Sequence, residues 1–216
     1  MKDFLLQKGK LKYFDIISKT YINIFDSEKE EISPDEIKTQ YKNMNGKVLI
    51  NLAFIGNLKS GKSTTIGHLL YSTGKIDKYS QLYKDAINSA QNNEYKYSFL
   101  INTYKDERVE KKTIMYHLNK FGTNKYDFNL IDCPGDFHLR KNIIKGLSIA
   151  DVSVFVVSAD NENPEDDHIN DLLIIAYTRG IKQLIFAFNK MDLTKEPQYA
   201  EKIFLKMKKN VAYIFK

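Results

Sequence analysis

Gly56-Asn57-Leu58-Lys59-Ser60-Gly61-Lys62-Ser63 decides how the rest of this chain reads. Before it, Val48–Ile55 is an apolar run with the composition of a buried strand. After it, Lys62–Tyr71 carries helical spacing. A glycine-punctuated loop between strand and helix can curl its backbone N–H groups into an anion cradle, reinforced by the start of the helix. In such a loop Gly56, Asn57, Leu58, Lys59, Ser60, Gly61, Lys62, Ser63 and Thr64 would wrap phosphates. Lys62 would reach the β- and γ-phosphates, and Ser63 would ligate Mg²⁺.

Two further stretches read in the same sense. Asp132-Cys133-Pro134-Gly135 follows a short apolar strand at Phe128–Ile131. An aspartate at such a strand end can hold Mg²⁺ through water, and Gly135 supplies an N–H and a pivot able to sense a γ-phosphate. Cys133 reads as a small buried hydrophobe. Asn189-Lys190-Met191-Asp192 closes the apolar run Ile181–Phe188. The Asp192 carboxylate can accept from guanine N1–H and the exocyclic amine, which adenine does not offer. Lys190 can lie along the base, and Asn189 can tie this loop to the first. The three motifs occur in one order on strand ends, which coincidence does not explain.

Around them, Val48–Ile55, Phe128–Ile131, Val152–Ser158, Ile181–Phe188 and Val211–Phe215 read as strands, and Thr113–Phe121 as an edge strand. Lys62–Tyr71, Leu139–Ser148, Pro164–Thr178 and Gln198–Asn210 read as helices. The expectation is an α/β fold with a mostly parallel six-stranded sheet and helices on both faces. Residues 1–46 read as a separate extension. Leu11, Phe14, Ile17, Tyr21, Ile24 and Phe25 suggest one helix, and Ser33-Pro34-Asp35-Glu36 starts a second that ends near Asn45-Gly46.

Bulk properties bound the function. At 216 residues, 43% hydrophobic and 28% charged, the chain suits one globular domain plus an appendage. A single cysteine excludes an internal disulfide and a cysteine-built metal site, and suits a reducing, cytoplasmic location. No apolar run is long enough for a transmembrane segment. The net charge of +6 suits an RNA-rich partner, but the same lysines suit a solvated surface. His68, His117 and His168 lack metal-ligand spacing and read as structural or surface residues. His138 reads as part of the helix after Gly135.

From about residue 47 to 215 the chain resembles the GTP-binding domain of translation factors, in the elongation factor 1-alpha and eukaryotic release factor 3 branch. The resemblance rests on NLAFIGNLKSGKSTTIGHLLYSTGKIDK (51–78), NLIDCPGD (129–136), KNIIKGLSIAD (141–151) and AYTRGIKQLIFAFNKMD (176–192). DERVEKKT (106–113) looks more like the release-factor branch. The resemblance implies the P-loop GTPase fold, GTP or GDP as ligand, Mg²⁺ as cofactor, and GTPase activity. It makes Thr113 the switch threonine that joins Ser63 and Asp132 at the metal. It also admits a protein or ribosomal RNA partner.

Four departures qualify it. Asp136 stands where the family places the histidine that orients the attacking water. Lys59 replaces a usual aspartate. Of the two apolar gate positions, Leu58 is apolar and Lys112 is not. The family's serine-containing loop over guanine, its final helix and its two β-barrel domains are not found, so tRNA binding is unsupported. Nucleotide binding is therefore expected and hydrolysis attenuated. Asp136 would either repel the anionic phosphate or be drawn into a salt bridge with Lys112 or Lys59. Two readings stay open: a slow or partner-dependent GTPase, and a pseudo-GTPase module that holds nucleotide without turnover.

Overall fold

A computed structural model describes residues 5–7, 10–15, 20–23, 47–90, 95–159, 167–194, 199 and 201–214. Three short strands come first: β1 (Leu5–Gln7), β2 (Lys10–Asp15) and β3 (Thr20–Asn23). They pair antiparallel in the order β1-β2-β3, with Phe14 opposite Tyr21. Within the helix expected from Leu11 to Phe25, the described residues 11–15 and 20–23 are thus corrected to strands. Lys10-Leu11-Lys12-Tyr13 also alternates with period two, and Thr20-Tyr21-Ile22 is β-branched and aromatic, so pairing satisfies both segments at once. The second expected helix, from Ser33 to Asn45, lies outside the described residues.

The main sheet is built from β4 (Val48–Ile55), β5 (His117–Gly122), β6 (Tyr126–Asp132), β7 (Val152–Ser158) and β8 (Gln183–Asn189), in the order β5-β6-β4-β7-β8. β6, β4, β7 and β8 run parallel, and β5 is antiparallel at the edge. Helices cover both faces because the central strands are apolar on both. One face carries Ala53, Ile55, Ile131, Phe155 and Val157. These pack under Ile143 and Leu147 of α5 (Arg140–Leu147), Ile169, Leu172, Leu173 and Ala176 of α6 (Asp167–Thr178), and Met207 of α7 (Glu201–Ile214). The opposite face carries Phe54, Leu130, Val154 and Val156 against Ile66 and Leu70 of α1 (Lys62–Ser72). Each fully buried side chain of this size contributes about 1.5–3 kcal/mol.

The intervening stretch forms α2 (Gln81–Ser89), α3 (Ser98–Ile101) and α4 (Lys105–Glu110). Ala86, Ala90, Phe99 and Leu100 join α2 to α3 in a small core of their own, and Ile101 carries α3 onto the sheet.

Two strand expectations need correction. The sheet has five described strands rather than six, because residues 211–214 of the strand expected at Val211–Phe215 are helical; α7 continues through Ile214. Ile203, Met207, Val211 and Ile214 recur at three to four residues, and that periodicity outweighs the short apolar run. The edge strand expected from Thr113 starts only at His117. The N–H groups of Ile114 and Met115 are taken by the Glu107 carboxylate instead of a ladder.

Candidate functional site

The parallel strands β4, β6 and β8 all deliver their carboxyl ends to one edge of the sheet, and the three motifs sit there. Asp132 is the last residue of β6 and Asn189 the last of β8. In register, Phe54 faces Asp132, and Ser158 faces Asn189. A parallel sheet with this order has its ligand crevice outside those strand ends.

The loop of residues 56–61 leaves β4 and turns directly into α1. Ser60 is buried and its N–H donates to Asn57 O at 3.2 Å, while Leu58 and Lys59 are exposed and Asn57 and Thr64 half-buried. No side chain caps α1 and no acidic residue occupies its first turn. Its leading N–H groups are those a phosphate would meet. Lys62 is buried at the foot of the helix. Its Nζ donates to Gly56 O at 2.9 Å and Asn57 O at 2.8 Å, so it is braced across the loop. Burial lowers it to about 8, against the opposing pull of Asp132 and Cys133. Gly135 approaches this ammonium so closely that a Cβ there would lie 2.4 Å from Lys62 Nζ and 2.8 Å from Asn57 O. Only glycine permits that contact between the two loops.

Beside Lys62, three oxygen donors converge. Ser63 Oγ and Thr113 Oγ1 lie 2.9 Å apart, and the Thr113 hydroxyl is 3.4 Å from Asp132 Oδ2. Asp132 is fully buried, and its Oδ1 has no hydrogen-bond partner. Burial pushes Asp132 up to about 6, against the Ser63 hydroxyl and the Lys62 charge. A buried carboxylate with an orphaned oxygen beside two hydroxyls fits a hard, oxygen-seeking cation. Among the described residues no group of three His, Cys, Asp or Glu could cage a metal by itself. That donor set suits Mg²⁺, which keeps water and phosphate oxygens in its shell. Cys133 is buried next to Asp132, and burial raises its thiol pKa strongly, so it stays a protonated packing group.

Asp136 has both oxygens engaged. Oδ1 accepts from the His138 N–H at 3.0 Å, capping the single 3₁₀ turn Phe137–Leu139, and Oδ2 lies 3.6 Å from Lys112 Nζ. Lys112 also reaches Glu110 at 2.9 Å, and its pKa is raised first by Glu110 and then by Asp136. Of the two lysines weighed from sequence, Lys112 is the one that reaches this carboxylate. His138 belongs to the 3₁₀ turn that precedes α5.

On the far side, Asn189 Nδ2 donates to Ser60 O at 2.9 Å, which stitches the end of β8 to the phosphate loop. Lys190 follows in a left-handed conformation, φ 57°, and opens the 3₁₀ turn Met191–Leu193, where Asp192 is exposed. An exposed carboxylate on a loop anchored to the glycine-rich loop can accept hydrogen bonds from a ligand that spans the two.

Sequence reasoning missed the groups around Thr113. Asn102 Oδ1 lies 3.4 Å from its hydroxyl, and Asn142 Nδ2 donates to Ile114 O at 2.9 Å. Glu107 holds the next two amides, and His117 pairs with Glu107 at 2.7 Å. No spacing rule marks a carboxylate six residues before a threonine, so nothing in the sequence singled it out. His117, expected to be a structural or surface residue, is held by Glu107, a partner that its spacing does not reveal.

Residues 47–215 match the family described as Elongation factor Tu GTP binding domain. Elongation factor 1-alpha from Xenopus laevis is 39% identical over 177 residues, covering 79% of this chain and 38% of that protein. The chain therefore spans well under half of that relative's length. Among solved structures, the Ski7 GTPase-like domain of S. cerevisiae, bound to GTP, superposes with a TM-score of 0.66 at 21% identity, over 82% of this chain and 41% of that one. Sup35 complexed with GDP gives a TM-score of 0.51 at 22% identity, over 88% of this chain and 36% of that one. At these identities the solved structures speak to the fold. Among the described residues, no helix is long and apolar enough to cross a membrane.

Proposed function

The chain belongs to the family of the elongation factor Tu GTP binding domain, and from that membership we propose that it is a Mg²⁺-dependent guanine-nucleotide switch with attenuated hydrolysis. The observation that carries the reading is the Asn189–Ser60 hydrogen bond, which joins a base-reading loop to a phosphate-binding loop. In this reading the N–H groups of residues 56–64, with Lys62, neutralise and orient the phosphates. Asp192 accepts from guanine N1–H and its amine, and Lys190 lies along the ring. Ser63, Thr113 and Asp132 hold Mg²⁺, which when bound supplies charge neutralisation on the β- and γ-phosphates. Gly135 offers its N–H to the γ-phosphate. The domain comprises residues 47–216, with residues 1–46 an extension to it, and the protein acts in the cytoplasm.

Asp136 is the reason for slow turnover. The attacking water must be held in line beside a transition state that is already anionic. A carboxylate adds negative charge there, and the Asp136 oxygens are already committed to the His138 N–H and to Lys112. Lys62 and Thr113 would still position the phosphate, so a protein or ribosomal RNA partner that supplies a water-holding group would raise the rate. The same commitment of Asp136 favours a second reading, in which nucleotide is held without turnover and the domain works as an interaction module.

Single-turnover assays with Mg²⁺-GTP on the natural chain, Asp136→His and Asp136→Ala decide between them. Slow GDP formation that rises in Asp136→His supports the attenuated enzyme. No GDP in the natural chain over many hours supports the holding module. If the natural chain is as fast as Asp136→His, or Asp136→Ala abolishes a robust rate, Asp136 is a working catalyst and the reading fails.

A further inference from the structure

The segment of residues 111–116 lies between α4 and β5 without regular structure, yet it carries Thr113 to within 2.9 Å of Ser63. Something other than a ladder must hold it. Its amides go to Glu107. The Oε1 atom accepts from Ile114 N–H at 2.8 Å and from Met115 N–H at 3.1 Å, and Oε2 accepts from His117 Nε2 at 2.7 Å. An ionised carboxylate only accepts, so the imidazole proton sits on Nε2. Glu107 is 1% exposed. Burial opposes its charge, but the bonds from His117, Ile114 and Met115 outweigh it and keep its carboxyl below the usual carboxylate range.

The base of this clamp is itself fixed. Arg108, next to Glu107, donates to Asn102 O at 2.8 Å and Phe99 O at 2.9 Å, which ties α4 to α3. The Asn102 side chain then reaches the Thr113 hydroxyl. From the other side Asn142 holds Ile114 O. The residue after Thr113 is therefore gripped at its amide by one helix and at its carbonyl by another, which leaves Thr113 little freedom.

We infer that Glu107 and His117 are positioning residues that hold the Thr113 hydroxyl toward Ser63 and Asp132, and thereby set the preference for triphosphate over diphosphate. This rests on the reading of Thr113 as the group that meets Mg²⁺ and the γ-phosphate. In that reading the diphosphate is held by the phosphate loop and the Asp192 loop, whereas the Glu107 carboxylate bonds to Ile114, Met115 and His117. Loosening the clamp must therefore weaken triphosphate binding selectively. A carboxylate that only stabilised the fold would lower both affinities together.

The test uses the full chain with two readouts. Hydrogen exchange of residues 111–117, followed by mass spectrometry in nucleotide-free protein, reads the clamp itself. Titration with Mg²⁺-GDP and with the non-hydrolysable analogue GppNHp reads its consequence. In Glu107→Ala the exchange should accelerate, GppNHp affinity should fall ~10-fold, the effect of about one net hydrogen bond, and GDP affinity should hold within ~2-fold. Glu107→Gln should retain most of both, since its carbonyl can accept the two amides and its NH₂ can donate to His117 in the other tautomer. Glu107→Ala combined with Thr113→Ala should discriminate no worse than Thr113→Ala alone. Unchanged exchange in Glu107→Ala, or faster exchange with the GppNHp-to-GDP ratio intact, overturns the proposal. Should Glu107→Ala not fold, His117→Ala carries the same two expectations and the same refutation. A natural chain that binds no guanine nucleotide sinks the proposed function, while the exchange arm still decides the clamp.

Discussion

Replacing Gly61 by alanine probes the joint between the two nucleotide loops. Gly61 has φ +98°, and a Cβ built there would lie 2.2 Å from Asn189 Nδ2, the atom that donates to Ser60 O at 2.9 Å. Two costs follow. A non-glycine residue in this conformation loses about 1–2 kcal/mol. Displacing Asn189 forfeits its hydrogen bond, about 1 kcal/mol net. Gly61→Ala should therefore destabilise the nucleotide-free fold by about 2–3 kcal/mol, and Asn189→Ala by about 1 kcal/mol. In the double variant the bond can be lost only once, so its cost should match Gly61→Ala alone rather than the sum. The coupling of about 1 kcal/mol exceeds the usual scatter in additivity of about 0.3–0.5 kcal/mol. Urea unfolding of the four proteins measures it, and strictly additive costs would refute the contact as the reason for glycine.

Other expectations concern ligand and pH. Asp192→Asn should lose at least ~10²-fold in GDP affinity and gain preference for xanthosine diphosphate, whose C2 oxygen accepts from the new amide; competition titration reads both. Lys62→Ala should abolish binding of a fluorescent GDP analogue, because the phosphates lose their buried ammonium partner. Glu107 has a lowered pKa in the folded state. Its stabilising contribution is full above the ordinary value of 4.5 and is lost as pH falls through the lower folded value. The melting temperature of Glu107→Gln should accordingly fall less steeply than that of the natural chain below pH 4.5, and parallel profiles would contradict this.

The sheet core was legible because parallel strands buried on both faces are written as unbroken apolar runs, as in Val152–Ser158. The placement of the Gly56–Ser63 and Asn189–Asp192 loops at strand ends was legible for a related reason: glycine, lysine and aspartate stand there at fixed offsets. Failures came where short segments serve two periodicities. Leu11–Phe25 satisfies a helix face and also strand alternation, and Val211–Phe215 looks like a strand until Ile203 and Met207 extend its helical period. The Thr113 surroundings were illegible for a different reason. Glu107 and Asn142 come from two separate helices and Asn102 from the cap that ends a third, and only the fold brings them to one loop.

Every role proposed for this site depends on its taking guanine nucleotide with Mg²⁺. Thermal unfolding of the natural chain, with Mg²⁺ present throughout and saturating GTP, GDP or ATP added in turn, tests it directly. Ligand that binds only the folded state at 100 times its Kd stabilises by about 2.7 kcal/mol, worth several degrees in a domain of this size. GTP and GDP should raise the melting temperature, and ATP at the same concentration should not. An equal shift with ATP, or no shift with any of the three, would contradict it.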